Sequence, residues 1–113
     1  MKYITYGKEK LYFFLDNYAN NGALYIGLCT KDNELYADLT INIPEYLFYA
    51  WNEIIINGDI SSDLVKKLEK AGILEPTGKL TRSGFGTYKI MEFNFEKAKD
   101  YIGANYSFLM EGE

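Results

Sequence analysis

The chain's 113 residues fit one domain and leave no room for two, and 48% hydrophobic against 25% charged content excludes a disordered chain. The net charge is −4, with no histidine and a single cysteine; this excludes an internal disulfide, His-dependent catalysis and a structural zinc site. Aromatic residues reach 17%, eleven of them Tyr, a content suited to strands and half-wet surfaces where the ring packs and the hydroxyl meets water.

The opening residues Met1 to Gly7 carry no sustained apolar stretch and no small-residue cleavage site, so no signal peptide is expected. Nowhere does an apolar run approach the ~20 residues of a membrane span, and a cytoplasmic protein without a membrane partner is expected. Tyr3 to Tyr6 and Leu11 to Leu15 are β-prone, although Glu9 to Ala19 also fits a short helix. Tyr18-Ala19-Asn20-Asn21-Gly22 is a turn signal, because Asn-Gly populates the positive φ angles of tight hairpins. Leu24, Ile26 and Leu28 then alternate with Tyr25, Gly27 and Cys29. After a polar turn at Lys31 to Glu34, Leu35, Ala37, Leu39, Ile41 and Ile43 alternate with Tyr36, Asp38, Thr40 and Asn42. The period of two predicts an antiparallel hairpin, 23–29 against 35–43, with one face buried.

Pro44 ends that strand. Glu45 to Ile56 reads two ways: Pro44 suits the first position of a helix, whereas Ile54-Ile55-Ile56 suits a strand. Asn57-Gly58-Asp59 is a turn. A helix over about 62–71 follows, capped by Ser61 or Ser62. It carries Leu64, Val65, Leu68 and Ala71 on one face, Lys66, Lys67 and Lys70 on the other, and stops at Gly72. Thr77-Gly78-Lys79 and Ser83 to Gly86 read as turns, Thr87 to Phe95 as a strand, and Glu96 to Tyr101 as a short helix before a loose tail. The expected fold is α+β: an antiparallel sheet of four to six strands with one main helix packed on one face.

Charge is uneven along the chain. Residues 1–60 hold four Lys against eight acids, 61–89 six Lys/Arg against three acids, and 90–113 two Lys against five acids. Chemistry-bearing motifs are sparse. Gly84-Phe85-Gly86 is a lone G-x-G without the later glycine and Lys-Ser/Thr of a phosphate loop, so no cofactor is expected. Cys29 falls on a predicted strand with nothing basic beside it and reads as a small buried hydrophobe. The series Asp32, Glu34, Asp38 lacks the spacing of a calcium loop.

Two surfaces remain. Asp32, Glu34, Tyr36, Asp38, Glu45, Glu53 and Asp59 form an acidic, Tyr-containing set suited to Lys/Arg groups of a protein partner; alternatively, these acids only keep a small protein soluble. Lys66, Lys67, Lys70, Lys79, Arg82 and Lys89 lie in a helix-then-hairpin segment like the last helix and wing of a winged-helix domain, where they would contact phosphates. The chain ahead of that segment reads as β-hairpin rather than as two further helices. Exposed strand edges in a Tyr-rich sheet also leave room for a homodimer.

The order Asn21-Gly22, Leu39-Thr40-Ile41-Asn42-Ile43-Pro44, Asn57-Gly58, Leu68…Gly72-Ile73-Leu74, Thr77-Gly78 and Ser83-Gly84-Phe85…Tyr88, over residues 18–93, resembles a functionally uncharacterised domain family. Its members are small proteins carried on plasmids, conjugative elements and phages of Gram-positive bacteria. The resemblance supplies no catalytic residues. It implies a setting in which small acidic proteins inhibit host defences, anti-CRISPR proteins among them, with a CRISPR nuclease complex as partner. The expectation is therefore a non-enzymatic interaction protein acting through its acidic surface, or alternatively a winged-helix-like nucleic-acid-binding regulator.

Overall fold

A computed structural model describes residues 1–103; the expected tail lies outside the described residues. Eight strands form two antiparallel four-stranded sheets. The first runs β1 (Ile4–Tyr6), β2 (Glu9–Asn17), β3 (Leu24–Thr30) and β4 (Leu35–Asp38), in that spatial order. The second, in the order β5-β6-β8-β7, is built from β5 (Thr40–Ile41), β6 (Glu53–Ile56), β7 (Leu74–Ser83) and β8 (Gly86–Phe93). The α+β expectation holds, with the strands divided between two sheets. Alternation along β2 settles the ambiguity at 9–19 in favour of a strand, because Leu11, Phe13 and Leu15 are fully buried on one side.

The expected long strand 35–43 is broken at one residue. Leu39 donates its N–H to the Ile26 carbonyl of the first sheet (2.9 Å) and accepts from Asn57 N–H beyond β6 of the second (2.9 Å). Its side chain is completely buried between the sheets. Thr40, expected on the outer face, is buried too: its Oγ1 accepts from Ile26 N–H (3.2 Å) and bonds the Tyr18 hydroxyl (3.0 Å). At the other end a register shift between Leu28 and Cys29 leaves Tyr36 as the extra residue, and Leu35, expected inside, is 60% exposed.

The inner faces of the two sheets close on one core. Leu11, Phe13, Leu15, Ile26 and Leu28 meet Ile54, Ile56, Met91 and Phe93, with Phe13 and Phe93 edge to face at 5.2 Å. Helix α1 (Ser62–Lys70) adds Leu64, Val65 and Leu68 to that core. Ser61 caps it, its Oγ accepting from Asp63 N–H, and Gly72 ends it at φ +77°, a conformation that favours glycine. The short α2 (Phe95–Ala98) and a 3-10 turn (Lys99–Tyr101) match the expected C-terminal helix and bury Ala98. No helix among the described residues is long and apolar enough to cross a membrane.

Residues 45–52 form neither helix nor strand; only Glu53–Ile56 pairs, with β5 and β8. Thr77-Gly78-Lys79 is not a turn between elements. It is an irregularity within β7, whose pairing to β8 jumps from Pro76 to Leu80. Ser83 to Gly86 makes the β7–β8 turn, as expected.

Candidate functional site

The seven acidic-set residues do not form one patch. Asp32 and Glu34 sit at the β3–β4 turn, with Tyr36 beside them on the bulge. Asp38 lies at the far end of β4, separated from Glu34 by the bulge at Tyr36. There its carboxylate accepts from the Tyr25 hydroxyl at 2.6 Å, and its carbonyl accepts from Asn57 Nδ2. Burial, then the Asp38 carboxylate, pushes the Tyr25 phenol well above its ordinary pKa. Asp59 joins this end through Asn57, whose Oδ1 accepts from Asp59 N–H. Glu45 is exposed beyond the opposite end of β6.

Glu53 corrects the expectation outright. It is 2% exposed and belongs to no outer acidic surface. The β7 irregularity carries Lys79 over it, and the two form an ion pair. Glu53 also accepts from Tyr49 N–H at 2.8 Å and the Tyr46 hydroxyl at 3.2 Å. Burial alone pushes this carboxyl up, but the bonds from Lys79, Tyr49 and Tyr46 together outweigh that and hold it below its usual value. Lys79 is thereby removed from the basic set, and its ammonium lies 4.3 Å from the Tyr49 ring centroid.

The remaining basic residues also divide. Lys66, Lys67 and Lys70 are exposed on α1, Arg82 is exposed near the β7–β8 turn, and Lys89 faces solvent on β8. Lys66 and Lys89 share one cleft, and Lys66, Lys67 and Lys70 line a second hollow on α1 together with Asp63 and Glu69. Cys29 is buried and its thiol is pushed up by that burial, with a Tyr12 hydrogen bond opposing. Among the described residues, no three Asp, Glu or Cys side chains are grouped as metal ligands would be.

What the Glu53–Lys79 pair does is hold a loop. Tyr46 and Phe48 turn inward onto Ile43, Ile55 and Ile90, making a second small core on the outer face of the second sheet, their rings edge to face at 4.8 Å. Leu47, Tyr49 and Trp51 therefore point out, at 87%, 87% and 62% exposure. Trp51 rests one face on Phe95, stacked at 4.6 Å and 26°. A groove of about 290 Å³ runs beside the loop, between Phe48 to Trp51 and the β2–β3 turn at Asn21 to Leu24. Glu92 and Glu75 lie directly opposite Glu53 and each other across the strands, so they share its outer face, and Glu45 and Glu96 flank the loop and Phe95.

The sequence reading missed this loop. Its signal was present in Tyr46-Leu47-Phe48-Tyr49-Ala50-Trp51, an aromatic run too irregular for a buried strand or helix.

Comparison with known proteins gives one match. The family model described as Domain of unknown function (DUF4313) matches residues 13–111, most of the chain, and the chain belongs to that family. No curated protein and no solved structure matches it.

Proposed function

We propose that this DUF4313 protein acts by binding a protein partner, with Leu47, Tyr49 and Trp51 as the anchors. The observation that carries this reading is a contrast within one loop: three large apolar side chains face water while a buried carboxylate fixes the backbone that bears them. Exposed Trp and Tyr are the residue types that dominate binding energy at interfaces, and an apolar patch of this kind marks an interaction surface. A loop already held in one conformation loses little entropy on docking. The surrounding Glu45, Glu75, Glu92 and Glu96 favour a partner presenting Lys or Arg. In the mobile-element setting implied by the family resemblance, a host defence nuclease complex with a basic nucleic-acid channel is the partner class of choice.

The test is capture of purified nuclease complexes by the intact protein, by a Leu47→Ala/Tyr49→Ala/Trp51→Ala variant, and by a variant with Asp32, Glu34 and Asp38 changed to Lys. The loop variant should lose at least about 30-fold in affinity while keeping its unfolding midpoint, and the charge reversal should bind nearly as the parent does. The opposite pattern would move the docking surface to the β3–β4 hairpin.

A second reading, nucleic-acid binding, draws support from the order α1–β7–β8 with Lys66, Lys67, Lys70, Arg82 and Lys89 exposed. It requires duplex affinity that falls steeply with salt and weakens when Lys66, Lys67 and Lys70 become Ala.

A further inference from the structure

The cleft that joins Lys66 to Lys89 lies away from the aromatic loop. One wall is a single face of α1, Ser62, Val65, Lys66 and Glu69, spaced three and four residues apart; the other is Thr87, Tyr88 and Lys89 on β8. The turn at Ile56 to Ile60 closes one end, and the volume is about 250 Å³. Tyr88 packs on the small outer core of Ile43, Ile55 and Ile90. A Cβ on Gly86 would come within 2.4 Å of the Tyr88 hydroxyl oxygen, and one on Gly58 within 3.3 Å of the Tyr88 ring. The ring thus lies close over Gly86 and Gly58, where a larger residue would displace it.

The lining divides by chemistry. Ile56, Ile60 and Val65 supply an apolar floor, and Lys66 and Lys89 contribute one basic residue to each wall. Neither lysine takes part in an ion pair within the described residues, where Glu53–Lys79 and Glu96–Lys99 are the ones formed. Glu69 is the opposing charge, one turn along α1 from Lys66, leaving the lining with two positive groups and one negative. A mostly apolar concavity with a few convergent polar groups is the usual anatomy of a small-molecule site, and this one is slightly smaller than the common range, which restricts it to a compact ligand.

We propose that this cleft binds a small organic anion: a compact apolar body on Ile56, Ile60 and Val65, bearing one carboxylate or phosphate held between Lys66 and Lys89. Lysine serves either acid group as a point charge, so the floor rather than the acid selects the body.

The probes are phenyl phosphate, benzoate, the neutral isostere benzamide, and inorganic phosphate, titrated into the full-length protein and followed by amide chemical shifts. Phenyl phosphate or benzoate should shift Ser62 to Glu69 together with Thr87 to Lys89, and whichever binds identifies the acid group. Benzamide and inorganic phosphate should each bind at least about tenfold more weakly, since each lacks one half of the recognition. Lys66→Met with Lys89→Met should weaken the anion about tenfold or more without changing the folded spectrum, and Glu69→Gln should tighten it. Three outcomes overturn the proposal: no saturable shift with either organic anion, equal binding of benzamide, or shifts centred on Lys67 and Lys70 that inorganic phosphate reproduces. Because the aromatic loop is untouched, this result is independent of partner capture.

Discussion

The second sheet shows two faces of opposite character. Its inner face, Ile54, Ile56, Met91 and Phe93, packs on aliphatic and aromatic neighbours and belongs to the main core. Its outer face carries Ile55 and Ile90 under Tyr46 and Phe48, with an ion pair at the edge and three large side chains facing water above. Hydrophobic burial alone holds the first. The second is held by a carboxylate whose bonds are specific and directional, an arrangement that fixes geometry more than it adds stability. The inner face keeps the protein folded, and the outer face keeps one loop in one shape.

Substitutions can separate these roles. Phe93→Ala, in a fully buried position against Phe13 and Phe95, should cost about 3–5 kcal/mol in urea unfolding and disturb both faces at once. A loss below about 1 kcal/mol would mean that the two sheets do not share one core. Glu53→Gln should cost less, about 1–3 kcal/mol, because it weakens the acceptor of the Tyr49 N–H while the inner face stays packed. Its signature should be local. Amide exchange should rise at 46–51 and remain slow in β2 and β3, and uniform loosening would contradict the division of labour.

The smallest effect comes from acid. Glu53 has a lowered pKa in the folded protein, so its contribution is fully present above the unfolded carboxyl value of about 4.3 and is lost as pH falls through the folded value. Trp51, the only tryptophan, stacks on Phe95 beside the loop and reports on it. Its emission should change below about pH 4 while the far-ultraviolet dichroism holds, and Glu53→Gln should remove that step. If both proteins show the same acid step, another carboxylate is responsible.

Local chemistry made much of the fold legible. Ser61, the apolar trio of α1 and Gly72 mark one helix almost to the residue, and the Leu24 to Leu28 alternation and the Ser83 to Gly86 turn mark their strands. What escaped depends on distant partners. Alternation continues unbroken through Leu39, so nothing in the period reveals a change of sheet. Glu53 reads as one more surface acid, because the lysine that buries it comes 26 residues later, on an irregularity that resembles a turn. The aromatic run has no period to betray which rings point inward. Candidate acids were visible as a composition bias, but direction is a property of the three-dimensional arrangement, and it scattered them.

Leu39 has a consequence for length variation in this family. Because one residue spends its N–H on one sheet and its carbonyl on the other, an insertion or deletion there would invert the sidedness of every position from Thr40 to Ile43 and would detach at least one of those two bonds. The Gly84-Phe85 tip, where Phe85 is fully in water, bears no such constraint. Relatives should therefore differ in size at that tip and keep a fixed count between β3 and β6 wherever the aromatic loop itself is unchanged.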